Sequence, residues 1–170
     1  MGNVFDSLHV RGPLTCERFT APAGSIGDSA VEAAAGIDRT KVIHQFPLHH
    51  YQTTGTAVVA AVEDLHIVQG ADGTLVSFEA AVTGAVATGA DRTVTVDLHR
   101  STGAAAFATV LTAPIVLDDD SVLRTAVAAT LASSTLADGD ILRVVVTVAG
   151  SAGNQAQGLV VTCFLSEDPQ

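Results

Sequence analysis

The sequence predicts an all-β protein, an antiparallel β-sandwich of jelly-roll type preceded by an extended N-terminal arm with at most one short helix. Three observations support this fold class. Apolar and polar residues alternate with a period of two, the apolar residues are mostly small or β-branched, and turn signals recur at short intervals. Hydrophobic residues make up 48% of the 170 residues and charged residues 15%, a composition that supplies one domain with a core.

Alternation is clearest in two stretches, residues 75–82 and 93–99. The side chains predicted to face the core there are Val76, Phe78, Ala80, Val82, Val94, Val96 and Leu98. Asp72 and Gly73 predict a hairpin turn between two strands. Further strands are predicted at residues 56–68, 107–117, 122–131, 141–148 and 159–165. Seven or eight strands at this spacing are typical of a sandwich.

The composition changes near residue 52, which divides the chain into an arm, residues 1–51, and a sandwich domain, residues 52–170. Three of the five prolines and four of the six histidines lie in the arm. Ser29 and Glu32 have capping-box spacing ahead of Gly36, which predicts one short helix. Because the arm has too few periodic apolar residues for its own core, we expect it to gain order on another surface.

The formal net charge of −10 excludes some partner classes. Residues 1–50 contribute −1, from five acidic and four basic side chains, and residues 51–170 contribute −9, from 13 acidic and four basic. Such a domain is repelled by phosphate backbones, so nucleic-acid binding is not expected. No apolar run approaches the ~20 residues of a membrane span, and no basic segment followed by an apolar one marks a secretory signal.

Two clusters have the residue types of a metal site. The acidic run at residues 118–120 suits a hard cation, but consecutive residues point to alternating sides, so we interpret it as a solvated turn. His44, His49 and His50 could ligate zinc only if different subunits contributed, because adjacent residues face opposite ways on a strand. A subunit contact is the preferred interpretation, and neither a metal nor a cofactor is predicted.

Motifs for enzyme chemistry are missing from the sequence. It contains no GxSxG elbow, no phosphate-binding glycine loop and no CxxC pair. Cys163 alternates with Val161 and Leu165, which predicts a buried free thiol, and a disulfide with Cys16 is the alternative that spacing alone does not decide. We therefore predict no enzyme activity and no catalytic residues. Two carboxylates that are distant in sequence but adjacent in the fold are a type of catalytic pair that no sequence motif reveals.

Two segments carry a resemblance to viral structural proteins. The first segment, which ends in a K-x-x-H-Q element, resembles N-terminal segments of structural proteins from tailed bacteriophages and prophage-like loci. Ala34-Ala35 stands where Gly-Ala is usual in those proteins. The matching residues are Gly24-Ser25-Ile26-Gly27-Asp28-Ser29-Ala30-Val31-Glu32-Ala33, Gly36-Ile37 and Thr40-Lys41-Val42-Ile43-His44-Gln45. The second segment, residues 136–144, is similar to the L-x-x-G-D-x-L-x-V turn and strand of viral knob, jelly-roll and complement-type head domains.

This resemblance implies a virion structural protein, made in the host cytoplasm and carried on the capsid surface. Domains of this kind are commonly trimers, so a homotrimer bound to the major capsid protein or another virion protein is expected. The arm would make the assembly contacts, through Val4, Phe5, Leu8, Val42, Ile43, His44, Phe46 and His49. A capsid decoration protein is the first expectation; a receptor- or glycan-binding fibre head and a cellular self-assembling coat subunit are the alternatives.

Overall fold

The computed structural model describes residues 44–70, 72–84, 93–150 and 155–167, all within the unit Ile37–Gln170. Within these ranges the chain forms β-strands and no helix, which confirms the all-β prediction. The helix predicted near residues 29–35 lies outside the described residues. The strands are β1 (His44–Tyr51), β2 (Ala61–Ile67), β3 (Gly73–Gly84), β4 (Thr93–Ser101), β5 (Ala108–Thr109), β6 (Ile115–Leu117), β7 (Val127–Ala128), β8 (Thr135–Leu136), β9 (Ile141–Ala149) and β10 (Gln157–Glu167).

The strands form two antiparallel sheets around a shared core. Sheet A has the order β1-β10-β3-β7, with β8 also paired to β3, and sheet B has the order β2-β9-β4-β5, with β6 also paired to β4. The first strand thus pairs with the last, the second with the last but one, and the pairs nest inward along the chain. This nesting is the winding of a jelly roll, in which β5 with β6 and β7 with β8 count as two interrupted strands.

The core lies between the sheets and is built from alternate residues of the long strands. On β4 and β9 every second side chain is buried, which follows from the opposite directions of successive side chains along a strand. The largest fully buried side chains are Phe78, Leu75, Leu98, Leu117, Leu142, Leu159 and Leu165. This confirms the buried positions predicted on β4, and Phe78, Ala80 and Val82 on β3.

A β-bulge moves one predicted core residue to the surface. Phe164 lies opposite Ser77, but the next residue of β10, Leu165, lies opposite Leu75. Val76 is therefore the inserted residue, and it is 51% exposed whereas Leu75 is 2% exposed. The prediction that Val76 faces the core is wrong, because one inserted residue reverses the faces of the side chains before it.

The connection from β2 to β3 differs from the predicted hairpin. Strand β2 pairs with β9 in sheet B, whereas Gly73 at the start of β3 pairs with Glu167 and Leu136 in sheet A. The chain therefore crosses from one sheet to the other here. The predicted strand at residues 56–68 is also shorter, since only Ala61–Ile67 forms β2.

The two long strands predicted at residues 107–117 and 122–131 are interrupted. Between β5 and β6 the chain leaves sheet B, and after β7 it leaves sheet A, so that the two segments meet. The Thr112 N–H donates to the Thr130 carbonyl, and the Ala132 N–H donates to the Val110 carbonyl, each at 2.8 Å. These hydrogen bonds join the two sheets along one side of the sandwich.

The end of the predicted arm belongs to the sandwich. Residues His44–Tyr51 form β1, the edge strand of sheet A, which is paired with β10 along all eight residues. Phe46 and Leu48 pack against the core, and His50 is buried among them. The described sandwich thus begins at His44 and includes residues that the sequence pattern had placed with the arm before residue 52.

Candidate functional site

The outer face of sheet A, called the A face, carries three rows of side chains across its long strands. Each row runs from β1 through β10 to β3, as the pairing register defines. The first row is Tyr51, Val160 and Ala81; the second is His49, Thr162 and Glu79; the third is Pro47, Phe164 and Ser77. Glu79 and His49 are the acidic and basic side chains of these rows, so most of the A face is uncharged.

Large apolar side chains on the A face are open to solvent. Tyr51 is 64% exposed and Phe164 41% exposed, and Val76 at the bulge is 51% exposed. Scattered exposed apolar residues are ordinary, but Phe164 and Val76 lie beside each other on neighbouring strands, and adjoining exposed apolar side chains are typical of a surface that binds another protein. The A face is therefore the candidate interaction surface of the described sandwich.

The middle row of the A face is held in place by local contacts. His49 Nδ1 lies 3.2 Å from Thr162 Oγ1, at hydrogen-bonding distance. The His49 ring also stacks on Tyr51, with 5.5 Å between ring centroids and 22° between planes. These contacts orient the imidazole on the open surface before any partner arrives.

The outer face of sheet B, called the B face, also exposes Val62, Ile67 and Val116, but it carries more ionisable side chains than the A face. Arg143 Nε donates to Asp64 Oδ1 at 2.6 Å, and its guanidinium lies 3.6 Å from the centre of the Phe107 ring. The hydrogen bond between them lowers the pKa of Asp64 and raises that of Arg143. The charges of the B face are thus matched within the chain.

A second polar group lies beside that ion pair on the B face. Asp97 Oδ1 accepts a hydrogen bond of 2.6 Å from Thr109 Oγ1, and Asp97 Oδ2 lies 3.0 Å from His99 Nε2. These side chains join β4 to β5 across neighbouring strands. The arrangement supports the sheet edge, because the Thr109 hydroxyl and the His99 ring both lie against the Asp97 carboxylate.

Both open sheet edges carry features that oppose pairing with another strand. Pro47 lies in the middle of β1 and has no N–H to donate. Strand β2 has a register shift between Asp64 and His66, which bends the edge, and it exposes the Glu63 carboxylate. The faces of the sandwich are therefore better suited than its edges to contacts with other chains.

Histidine–carboxylate pairs connect the two sheets beside these edges. His50 Nδ1 on β1 lies 2.6 Å from Glu63 Oε2 on β2, and His66 Nε2 on β2 lies 3.4 Å from Glu167 Oε1 on β10. The His66 ring also packs edge-on against Phe46 at 5.4 Å. These contacts fix β1 to its own subunit.

The structure divides the eight predicted assembly residues into three groups. His49 is exposed on the A face, as an assembly contact requires, and His44 is exposed at the start of β1. Phe46 instead packs against its own core, because inward-facing positions alternate along β1. The other five, Val4, Phe5, Leu8, Val42 and Ile43, lie outside the described residues.

The acidic run at residues 118–120 lies in a turn, and Cys163 lies in the core. Asp118 Oδ1 accepts hydrogen bonds from the Asp120 N–H and Ser121 Oγ, so this segment is a turn, as predicted. In the described ranges no three His, Cys, Asp or Glu side chains are grouped as a metal site. Cys163 is free and fully buried, and burial raises its pKa to about 12.

A shallow groove of about 360 Å³ lies on the side of the sandwich opposite β1, between residues 112–116 and 127–130. Its lining includes Pro114, Ile115, Val116 and Val127, with the threonines Thr112 and Thr130 at its ends. Ligand pockets usually add a few convergent polar or charged groups to such walls, and this lining has no charged residue. The groove is therefore a weaker candidate site than the A face.

Comparison with known proteins identifies no relative. No family model matches the chain, and neither a curated protein nor a solved structure is similar to it. The described part of the chain includes no helix with the length and apolar content needed to cross a bilayer. The sandwich and its two outer faces are the features on which a functional proposal rests. The sequence does not predict the A face, because its rows form only through the pairing of β1 and β3 with β10.

Proposed function

We propose that this protein is a non-enzymatic structural subunit of a virion, a capsid decoration protein that stabilises the particle by binding its surface and neighbouring subunits. One observation carries the proposal: the A face exposes Tyr51, Phe164 and Val76 on a surface with few ionisable groups. Leaving these side chains in water is unfavourable, and covering them would contribute about 1 to 2 kcal/mol each.

The two outer faces differ in charge rather than in apolar exposure, since the B face also exposes Val62, Ile67 and Val116. The B face has its charges paired within the chain, so it is suited to remain in water. The A face gains free energy only when another surface excludes water from it. In the proposed role the A face meets protein, and the acidic remainder of the domain keeps the assembly soluble.

Residues 1–43 have a separate part in this proposal. Most of the first segment that resembles virion proteins lies here, and the anchors Val4, Phe5, Leu8, Val42 and Ile43 would bind the particle. Several such segments in one oligomer raise the total affinity without any single strong contact. A homotrimer is the expected assembly from the same resemblance.

The experiment mixes the purified chain with undecorated particles from its native source and images them by electron microscopy. We expect density for the chain at regular lattice positions at saturation. A second sample lacks residues 1–43, a deletion that stops before β1 and keeps every strand of the described sandwich. It should bind at least about tenfold more weakly.

Two results would count against parts of this proposal. Absence of the full chain from saturated particles contradicts the decoration function. Undiminished binding after removal of residues 1–43 contradicts the part assigned to that segment. Specific, saturable binding to an array of glycans, with no particle binding, would favour a fibre head instead.

A further inference from the structure

We propose that the partner on the A face is a second copy of this chain, related by a two-fold axis that runs along β10 close to Thr162. The inference rests on the proposed function, since it assumes that the A face is covered by protein, and it adds the identity and geometry of the partner. Its basis is the order of side chains in the three rows of that face.

The middle row is self-complementary about β10. His49 on β1 and Glu79 on β3 both lie directly opposite Thr162, one on each side. Adjacent strands are about 4.8 Å apart, so the two side chains are equally far from β10. A two-fold rotation about β10 exchanges the two sides. It therefore places His49 of each copy over Glu79 of the other, in two equivalent contacts, as isologous interfaces require.

The chemistry of these two side chains suits the contact. The Thr162 hydroxyl can donate to His49 Nδ1, the tautomer in which Nε2 carries the proton. The Nε2–H then donates to a carboxylate, which the Glu79 side chain of the second copy supplies. Charging the imidazole strengthens this hydrogen bond further.

The other two rows match in size under the same rotation. Tyr51, the largest exposed side chain of its row, comes to lie over the small Ala81 of the second copy. Phe164 lies on the axis and meets its own counterpart, while Pro47 meets Ser77. Large side chains thus face small ones away from the axis. Face-to-face sheets are usually rotated by about 30°, which displaces positions this close to the axis by only a few ångströms.

The B face does not offer the same match. Its charges, Asp64 with Arg143 and Asp97 with His99, are paired within one copy, and a second copy would have to desolvate them. The A face requires desolvation of one histidine and one glutamate, and each finds its partner across the axis. Self-association is therefore assigned to the A face.

The test exchanges the two side chains in the full-length chain. His49→Glu places two carboxylates against each other in both equivalent contacts, and we expect self-association to weaken by at least about tenfold. The double variant His49→Glu/Glu79→His restores the opposed pair with its partners reversed, and its dissociation constant should return to within about threefold of the original. Sedimentation velocity over a concentration series measures both.

Thr147→Glu is the matched control, because Thr147 is exposed on the B face and receives the same added acid. It should leave self-association unchanged. The inference is overturned if His49→Glu associates as tightly as the original chain, or if the double variant remains as weak as the single one. Tighter association after removal of residues 1–43 also overturns it, because that segment would then be the occupant of the A face.

The outcomes separate this inference from the proposed function. A chain that decorates particles but is indifferent to the exchange at positions 49 and 79 keeps the proposed function and loses the two-fold contact. A chain that self-associates as described but never binds particles loses the proposed function and keeps the contact. A mass of three copies that His49→Glu does not change would overturn the inference, since a closed trimer has no two-fold axis.

Discussion

A single buried carboxylate fixes the turn that leads into β9. Asp140 is 1% exposed, and its Oδ2 accepts a hydrogen bond of 2.9 Å from the Ala137 N–H. Gly139 before it has a φ of 85°, which favours glycine, and the Asp140 carbonyl accepts from the Val68 N–H at 2.9 Å. The turn geometry and hydrogen bonds within one subunit therefore explain why Gly139 and Asp140 occupy these positions.

Replacing Asp140 should therefore be costly. Asp140→Ala removes the acceptor of the Ala137 N–H and the carboxylate that lies 3.8 Å from Arg100 Nη1. We expect the free energy of unfolding to fall by about 2 to 3 kcal/mol, measured by urea denaturation. Asp120→Ala, in the exposed turn, is the control and should change it by less than about 0.5 kcal/mol. Equal effects of the two would contradict the assigned role.

Cys163 gives stability a dependence on alkaline pH. Its pKa is raised by burial from 9.0 to about 12 in the folded chain. Because the folded pKa is the higher one, the contribution is complete below about pH 9 and is lost as pH rises towards 12. From about pH 8 to pH 10 the chain should lose about 1.4 kcal/mol more than Cys163→Ala, by urea denaturation at each pH. Parallel curves for the two proteins would exclude this linkage.

Among the elements, β1 is a strand of the sandwich, although the sequence pattern placed its residues with the arm. It contributes Phe46, Leu48 and His50 to the interior and is joined to β2 by the His50–Glu63 contact. Its outward positions, His49 and Tyr51, belong to the A face. One strand therefore serves both its own core and the candidate interface.

The two sides of β1 should respond differently to mutation. Phe46→Ala removes a side chain packed on the core, and we expect the free energy of unfolding to fall by about 2 kcal/mol. His49→Ala, on the exposed side, should change it by less than about 0.5 kcal/mol at concentrations where the chain is monomeric. Thermal or urea unfolding measures both. If Phe46→Ala loses no stability, β1 does not pack on its own core, and its residues belong with the arm.

Sequence patterns predicted the long strands well because their two faces differ in burial. β4 follows the alternation that the sequence shows at residues 93–99, and β9 lies where a strand is predicted at residues 141–148. β1 was missed because Pro47 and three histidines interrupt the apolar pattern, and His50 occupies an inward position. The interruptions of the strands predicted at residues 107–117 and 122–131 were not predicted. They depend on a hydrogen bond between Thr112 and Thr130, which are distant in sequence.

For the whole molecule, the functional proposal depends on the outer faces of the two sheets, which differ in their number of ionisable side chains. A sandwich needs apolar side chains only between its sheets, yet the A face also exposes Tyr51, Phe164 and Val76. Strand edges are blunted by Pro47 and by the bulge of β2, so the available contact surface is a face. The central claim is that a second copy of this chain covers the A face.

Light scattering of the full-length chain tests this claim most directly, with Tyr51→Ser/Phe164→Ser as the comparison. These side chains are exposed, so the variant should keep the far-ultraviolet circular dichroism of a β-protein. The account predicts a mass of two or more copies for the original chain at micromolar concentration and a monomer for the variant. A monomeric original chain, or an assembly whose mass the two substitutions leave unchanged, would contradict it.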